Sequence, residues 1–471
     1  MHRTPSPAAP SSVDHPADTL TEPSAARSVG SPPPEDLSVL VVGAGLAGAQ
    51  TAAALRSHGA TGRITVLGAE GVAPYDRPPL SKELFTRTSP AWLVDETGAD
   101  LDLLADETVL DDPAVALTLG ADGGPSVVTT ASGRTITADV VVLACGSEPV
   151  RPVGWDSATT LHTAADAEVL RASLSPGRRL VCVGAGWIGA EVAGAAAAQG
   201  VEVTVVEAAP VALHRQLGAQ VGALLAGWYE KAGVTLVTGV TVTSVGPEGV
   251  HVDHGTHREM IGADVVLAAV GARPATGWLA GTVPTGPRGD VQTDIHGRVL
   301  ARPGSASGEG AAPGTAASQP AVWAVGDCAT RADDVWGQVH GGHWSAALLD
   351  PGTVARSILG LETPPVPAPY VFSTQLGHDL ALFGLPDPTA DRVVLRGDPS
   401  TPGTGWVACY VGEAGTVTGI LVVDSPRDVA AARRLMAQGP ALLDLDKVAD
   451  PRVPLKATAT ANSTAAAPNR A

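Results

Sequence analysis

The chain is 471 residues long, 44% of its residues are hydrophobic, and 55 are glycine. This length and composition fit a globular α/β protein of two to four domains and exclude a small scaffold held together by disulfides. The formal charge of −18, from 48 acidic and 30 basic residues, argues against nucleic acid or an anionic membrane as a partner.

The cysteines and the apolar segments predict where the protein works. Cys145, Cys182, Cys328 and Cys409 lie far apart and form no C-x-x-C, which is typical of a reduced compartment and offers no closely spaced metal or redox motif. Apolar stretches are too short to span a membrane, and the N-terminus lacks a signal core and a twin arginine. We therefore expect a cytoplasmic protein without a membrane partner or a metal, and the sequence leaves its oligomeric state open.

Three segments are rich in Pro, Ser, Ala and Thr or Gly. Residues 1–35 and 457–471 are predicted to be disordered tails, because such segments bury too little apolar surface to offset the entropy of ordering. Residues 301–320 are predicted to be a mobile loop between two strands.

Between the tails one pattern occurs twice, at residues 37–70 and 178–209. Each copy has a β-branched strand, a G-A-G-x-x-G turn, an Ala-rich helix, a second strand and a glutamate, which predicts a βαβ unit. A single G-x-G-x-x-G is weak support for a nucleotide site, but here the surrounding elements agree in both copies. The sequence therefore predicts two bound dinucleotides.

The glycines of each motif have different predicted roles. The first allows a tight turn, the second lets the backbone approach a pyrophosphate, and the third lets the helix pack on the strand. In chain order they are Gly43, Gly45 and Gly48, then Gly184, Gly186 and Gly189. Glu70 and Glu207 follow at the second strands, where a carboxylate binds ribose hydroxyls and repels a 2′-phosphate, so the sequence favours NAD over NADP.

Three further stretches supply candidate site residues. Apolar strands within 138–149 and 263–274 end at Gly146 and Gly271, and the strand in 320–330 delivers Asp327 at its carboxyl end. In "PYDRPPLSKELF" (74–85), Ser81 is the predicted N-cap of a helix after two prolines, so Lys82 falls in the first turn. A cation there is disfavoured by about 0.3–1 kcal/mol unless it faces a negative group.

This set of motifs resembles the two-dinucleotide flavoproteins that include the pyridine nucleotide-disulfide reductases. "PYDRPPLSKELF" followed by G-A-G-W-I-G-A-E is more closely similar to the ferredoxin, putidaredoxin and rubredoxin reductases and their apoptosis-inducing-factor relatives. The resemblance covers about residues 36–456. It implies an α/β fold with two interleaved Rossmann-like dinucleotide-binding domains and a C-terminal α+β reductase domain. The implied FAD-binding domain comprises 36–155 and 276–360, the NAD-binding domain 156–275, and the reductase domain 361–456.

The resemblance also implies FAD at the first motif and NAD(H) at the second. It places Lys82 near flavin N5, paired with Glu191, and makes these two the implied catalytic residues. The implied cofactor-binding residues are Gly43, Gly45, Leu46, Ala47, Gly48, Glu70, Arg77, Lys82, Val109, Gly146, Asp327 and Trp344 for FAD, with Gly184, Gly186, Gly189, Glu207 and Gly271 for the NAD half.

The implied function is the passage of electrons from NADH through FAD to a small ferredoxin-like iron–sulfur protein. The chain has no cysteine before Cys145, which argues against a disulfide reductase. Phe372, Thr374 and Gly342 replace a Trp, an Asp and a Glu of the family pattern, and Glu148 replaces an arginine. An NADH oxidase or a quinone or small-acceptor reductase therefore stays open, as does a low-turnover flavin-bound signalling or scaffold protein.

A net negative reductase repels an acidic ferredoxin unless it has a local basic face. The helical stretch near the C-terminus supplies three candidates for such a face, Arg427, Arg433 and Arg434.

Overall fold

The computed structural model describes residues 37–121, 124–279, 281–301 and 321–460. The predicted tail at 1–35 and all but the first residue of the predicted loop at 301–320 lie outside these ranges. The predicted C-terminal tail is described as far as residue 460.

The first segment, residues 37–149, alternates strands and helices. Its strands are β1 (Val39–Val42), β2 (Ile64–Leu67), β3 (Tyr75–Asp76), β4 (Ala91–Trp92), β5 (Glu107–Val109), β6 (Ala114–Thr118), β7 (Ser126–Thr130), β8 (Thr135–Ala138), β9 (Val140–Leu143) and β10 (Ser147–Pro149). Its helices are α1 (Leu46–Ser57), α2 (Pro79–Lys82), α3 (Leu93–Glu96) and α4 (Leu101–Leu104).

The second segment, residues 150–279, repeats the βαβ order. Its helices are α5 (Ala164–Ser173), α6 (Trp187–Ala197) and α7 (His214–Lys231). Its strands are β11 (Arg179–Val183), β12 (Glu202–Glu207), β13 (Thr235–Thr238), β14 (Thr241–Gly246), β15 (Gly249–Asp253), β16 (Arg258–Gly262), β17 (Val265–Ala268) and β18 (Ala272–Pro274). A 3-10 turn, Gly277–Leu279, follows.

The remaining elements lie in the described residues of a third segment, 281–358, and of a C-terminal segment, 359–460. Their strands are β19 (Val291–Thr293), β20 (Val322–Ala324), β21 (Ala329–Asp333), β22 (Gly337–His340), β23 (Tyr370–Gln375), β24 (His378–Gly384), β25 (Arg392–Arg396), β26 (Trp406–Val411) and β27 (Val417–Val423). Their helices are α8 (Trp344–Ile358), α9 (Pro426–Met436) and α10 (Leu445–Ala449), with 3-10 turns at Gly326–Cys328 and Leu455–Thr458.

Two parallel sheets hold the two βαβ units. The first has the order β20-β9-β1-β2-β5 and the second the order β13-β12-β11-β17. The central strand of the first sheet, Val39–Val42, is buried throughout, as expected for a parallel strand covered on both faces. Because β20 comes from the third segment, the chain leaves the first sheet, builds the second and returns. This is the interleaving that the resemblance implies.

The C-terminal segment forms an antiparallel sheet, β23-β24-β27-β26-β25, with α9 packed against β24 and β27. The helical stretch predicted near the C-terminus is α9, which carries Arg427, Arg433 and Arg434. The described chain continues past residue 456, because Leu455 and Thr458 are buried and Ala459 forms a β-bridge with Leu443. The C-terminal segment that contains this sheet thus extends a few residues into the predicted tail.

Candidate active site

In the first glycine turn, Gly43 and Gly48 are tightly packed, whereas Gly45 faces open space. A Cβ on Gly43, whose φ is +117°, would lie 2.0 Å from the Ala144 carbonyl oxygen, and one on Gly48 would lie 1.8 Å from that of Gly43. A Cβ on Gly45 would have no atom of the described chain within 4 Å. The second glycine therefore faces open space at the start of α1, where Leu46 and Ala47 form the first turn. This arrangement fits a dinucleotide pyrophosphate.

A cleft continues from Gly45 along the ends of β2 and β5. It is lined by Glu70, Arg77 and Leu110, among others. The Glu70 carboxylate accepts a hydrogen bond of 2.5 Å from the Tyr75 hydroxyl and pairs with Arg77. These contacts fix an acidic group at the cleft, where the sequence predicts a ribose-binding carboxylate.

Val109, predicted to meet the adenine through its backbone, ends β5. Its carbonyl oxygen already accepts a hydrogen bond of 2.7 Å from Gly68 N–H, and the neighbouring residue Leu110 lines the cleft. The adenine contact of Val109 stays a prediction; this carbonyl oxygen has a second lone pair that can accept a further hydrogen bond.

The second glycine turn repeats the first. A Cβ on Gly184, with φ of +106°, would lie 2.4 Å from the Ala269 carbonyl oxygen, and one on Gly189 would lie 2.0 Å from that of Gly184. A Cβ on Gly186 meets no atom of the described chain within 4 Å. Glu207, the last residue of β12, accepts hydrogen bonds from Ala185 N–H at 2.7 Å and Ala209 N–H at 2.8 Å. The carboxylate is thereby fixed beside the turn.

Gly146 and Gly271 lie at matching positions. Both have positive φ, +70° and +112°, and they precede β10 and β18, which pair with each other. Glu148, which stands where the family pattern has an arginine, pairs at 2.8 Å with Arg273 on the opposite strand. The acidic substitution is therefore neutralised by a local partner.

Asp327 lies in the 3-10 turn just beyond β20. Its carboxylate accepts hydrogen bonds from the Ser147 hydroxyl at 2.9 Å and from Gly342 N–H at 3.2 Å. Burial raises the pKa of this carboxyl above its usual range, against the effect of these two donors. The group lies at the carboxyl end of the first sheet, where ligands of open α/β sheets bind.

The prediction that Ser81 caps a helix and Lys82 starts it is wrong. Helix α2 begins at Pro79, and Lys82 is its last residue. Proline fits the first helical position because its missing N–H needs no partner there and its φ is already helical. Lys82 therefore lies at the end of the helix where a cation is favoured.

Lys82 and Glu191 form the pair that the resemblance implies. Lys82 Nζ lies 2.9 Å from Glu191 Oε1, and the Glu191 side chain is only 3% exposed. The same carboxylate accepts hydrogen bonds of 2.5 Å from the hydroxyls of Ser81 and Ser373. Its partners come from α2 and β23, while Glu191 itself lies on α6. One buried carboxylate thus joins three segments of the chain.

An aromatic cluster lies beside this pair. Lys82 Nζ is 4.8 Å from the centre of the Phe372 ring, and that ring packs edge-to-face on Trp344 at 5.6 Å. Trp344 Nε1–H donates to Asp76 Oδ1 at 2.9 Å, and burial raises the pKa of Asp76. Phe372 therefore takes part in the site as a cation–π partner of Lys82, a contact that sequence reasoning missed because these residues are far apart in the chain.

Two of the free thiols lie together. The pKa of the Cys145 thiol is raised, mainly by its hydrogen bond to Cys328 and secondly by burial. A thiol with a raised pKa is a poor nucleophile, which argues against Cys145 as the attacking thiol of a disulfide reductase. The adjacency has no signal in the sequence, since the two cysteines are far apart in the chain.

A buried acidic group on α8 gives a pH prediction. Burial raises the pKa of Asp350 to about 6, although Arg331 Nε lies 3.8 Å away. The usual carboxyl pKa is about 4, so between pH 4 and 6 the folded protein binds more protons than the unfolded chain and loses stability as pH rises. We expect Asp350→Asn to gain up to about 3 kcal/mol relative to the wild type over this window and to keep that gain above it.

Urea unfolding at several pH values between 4 and 7.5 measures this difference. Asp334→Asn, at an exposed neighbouring carboxylate, is the control and should follow the wild type. A stability difference between Asp350→Asn and the wild type that does not change with pH contradicts the prediction.

Comparison with known proteins identifies the family. The model of the pyridine nucleotide-disulphide oxidoreductases matches residues 37–348, and the reductase C-terminal model matches residues 370–459. The chain belongs to the pyridine nucleotide-disulphide oxidoreductase family. This oxidoreductase uses FAD and NAD(P)H, which fits the two open glycine turns. Among the described residues no helix is both long and apolar enough to cross a membrane.

Relatives with known names align with this oxidoreductase over most of its length. It is 32% identical to the anthranilate 1,2-dioxygenase system ferredoxin--NAD(+) reductase component of Burkholderia cepacia, over 88% of this chain and 98% of the relative. It is 31% identical to rhodocoxin reductase of Rhodococcus erythropolis, over 85% and 90%. The solved putidaredoxin reductase–putidaredoxin complex is similar with a TM-score of 0.78 at 26% identity, over 91% of this chain and 99% of that one.

Proposed function

We propose that this oxidoreductase takes electrons from NADH and passes them through FAD to a small ferredoxin-like iron–sulfur protein. The buried Lys82–Glu191 pair carries the proposal, because it joins both nucleotide segments to the C-terminal sheet at one point. The relatives support the acceptor, since their names describe ferredoxin reductases. When bound, FAD accepts a hydride and can release its electrons one at a time.

The residues of the chain bind and orient the two dinucleotides. In the proposal Gly45 and Gly186 admit the two pyrophosphates, and Glu70 and Glu207 hold the ribose hydroxyls. Asp327 holds the ribityl chain of the flavin. Gly146, Gly271, Trp344, Arg77 and Val109 complete the proposed contacts. Lys82 supplies a fixed positive charge at the flavin, and Glu191 holds it in place.

The NAD half gives a specificity prediction. Because the Glu207 carboxylate is fixed by two backbone N–H groups, we expect it to repel the 2′-phosphate of NADPH. Glu207→Gln should shift the ratio of kcat/KM for NADH over NADPH towards NADPH by about 10-fold, which corresponds to about 1.4 kcal/mol. Steady-state kinetics with both nucleotides measure the ratio. Glu202→Gln, at the other end of the same strand, is the control, and an unchanged ratio in Glu207→Gln contradicts the assignment.

A local basic face supports an acidic protein acceptor. The Arg433 guanidinium lies 5.4 Å from the centre of the Tyr370 ring, and Tyr370 contacts the Phe372–Trp344 pair beside Lys82. Arg427, on the same helix, has a side chain that is 81% exposed. Arg433 therefore adjoins the aromatic cluster despite the net charge of −18, while Arg427 lies near Asp428 of its own helix, with Nε 3.8 Å from the carboxylate. Such a face speeds association with an acidic partner at low salt.

The test uses the purified holoprotein. NADH should bleach the flavin under anaerobic stopped-flow conditions, and an added ferredoxin should then support reduction of cytochrome c. The ferredoxin-dependent step should slow as salt rises, while bleaching by NADH changes little. Direct transfer to oxygen or a quinone, with no effect of ferredoxin, favours the oxidase or small-acceptor function. Failure to bleach favours the signalling or scaffold function. We place the protein in the cytoplasm, as its four free thiols favour.

A further inference from the structure

A β-hairpin in the second segment carries a group of metal-ligating side chains outside the site described above. Strands β15 and β16 pair antiparallel, with Val252 opposite Glu259 and Asp253 opposite Arg258. The turn between them is closed by a hydrogen bond of 3.0 Å from His254 N–H to the His257 carbonyl. No metal was expected from the sequence, because its cysteines are not closely spaced.

The register of the hairpin brings three of these side chains to one face. Side chains alternate between faces along a strand, so Glu259 and His257 share a face on β16 and the turn that precedes it. His254 stands opposite His257 and therefore lies on this face as well. Asp253 and Arg258 lie on the other face, where they pair at 3.0 Å.

The three side chains are already close. His254 Nε2 lies 3.2 Å from Glu259 Oε2, and the rings of His254 and His257 stack with their centres 4.4 Å apart. One ligand atom from each residue can be chosen so that all three lie within 4.8 Å of one another. Among the described residues, no other group of three or more His, Cys, Asp or Glu side chains has its ligand atoms this close together.

We propose that His254, His257 and Glu259 bind a divalent transition-metal ion of the zinc class. Two imidazoles and one carboxylate suit Zn²⁺, Co²⁺ or Ni²⁺, whereas Mg²⁺ and Ca²⁺ prefer oxygen ligands alone. Zinc bonds of about 2.0–2.2 Å in a tetrahedral site place ligand atoms about 3.4 Å apart. His254 Nε2 and Glu259 Oε2 are already 3.2 Å apart, and the His257 ligand atom must approach by at most about 1.4 Å. His257 and Glu259 are exposed, so their side chains can turn to make this approach, and water completes the coordination.

The hairpin contributes none of the glycine turns and lies apart in sequence from Lys82 and Glu191. The metal therefore binds outside the two dinucleotide motifs, and it links the two strands at the turn of the hairpin.

Calorimetric titration of the full-length holoprotein with Zn²⁺, after treatment with a chelator, tests the site. We expect one site in the wild type, at least 10-fold weaker binding in His254→Ala and in His257→Ala, and unchanged flavin reduction by NADH in all three. His251→Ala is the matched control, because it removes an exposed histidine from the other face of the same hairpin.

Equal zinc binding by His254→Ala, His257→Ala and the wild type overturns the proposal, as does an equal loss in His251→Ala. Absence of zinc binding by the wild type at pH 7.5 also overturns it. Co²⁺ provides a second readout, since its visible absorption on binding should disappear in the same two variants and persist in His251→Ala.

Discussion

Lys82→Ala is expected to slow the reduction of bound FAD by NADH by about 100-fold while FAD stays bound. Removing one preorganised charge from an enzyme site typically costs a factor of this size. Lys82 Nζ lies 2.9 Å from a carboxylate that is 3% exposed, so the substitution also leaves the Glu191 charge with only the hydroxyls of Ser81 and Ser373. Anaerobic stopped-flow measures the rate of bleaching, and the absorbance of the purified protein measures the FAD content.

A double-mutant cycle separates the role of the charge from damage to the fold. Leaving one member of a buried pair unpartnered costs about 3–5 kcal/mol, so Lys82→Ala should also lower stability. Lys82→Ala with Glu191→Gln removes both charges and should recover most of that stability without recovering the rate.

Ser373→Ala serves as the comparison, because it keeps both charges and removes one hydrogen bond to Glu191. It should slow bleaching by less than 10-fold. An unchanged rate of flavin reduction in Lys82→Ala contradicts the assignment of this residue to the flavin site.

Much of the fold was predictable because it depends on local signals that occur in the right order. The β-branched run before Gly43 and the one before Gly184 predict the two central strands, and the glycine spacing predicts the turns after them. The interleaving follows from the strand that ends before Asp327, once the resemblance assigns it to the first sheet. The domain boundaries themselves stay predictions.

The contacts that complete the site were not predictable, because they join residues far apart in the chain. Ser373 reaches Glu191 across 182 positions, and no periodicity in either segment reports that approach. The start of α2 was predicted wrongly for a local reason. The prediction made Ser81 the N-cap after the two prolines, whereas Pro79 itself is the first helical residue, a position that favours proline.

Substitutions at the two open glycine turns are expected to impair different cofactors, the first turn FAD and the second the nicotinamide nucleotide. Gly45→Val should give a folded protein that contains little FAD, and Gly186→Val should retain FAD but no longer bleach with NADH. Both positions have extended backbone, with φ of −79° and −80°, and neither Cβ would meet an atom of the described chain within 4 Å. The protein therefore accommodates a Cβ at each position, and a valine side chain there would occupy the space through which each pyrophosphate must approach the helix N-terminus.

Substitutions at the third glycines distinguish this effect from general damage. A Cβ on Gly48 would lie 1.8 Å from the Gly43 carbonyl oxygen, so Gly48→Ala should lower the thermal unfolding temperature as well as the FAD content. Gly45→Val should lower the FAD content while circular dichroism remains that of the folded protein. If Gly45→Val and Gly186→Val both lose FAD, or both keep it and still bleach, then the two turns do not bind separate dinucleotides. Opposite losses would assign FAD to the first turn and the nicotinamide nucleotide to the second, because each valine blocks one turn and leaves the other intact.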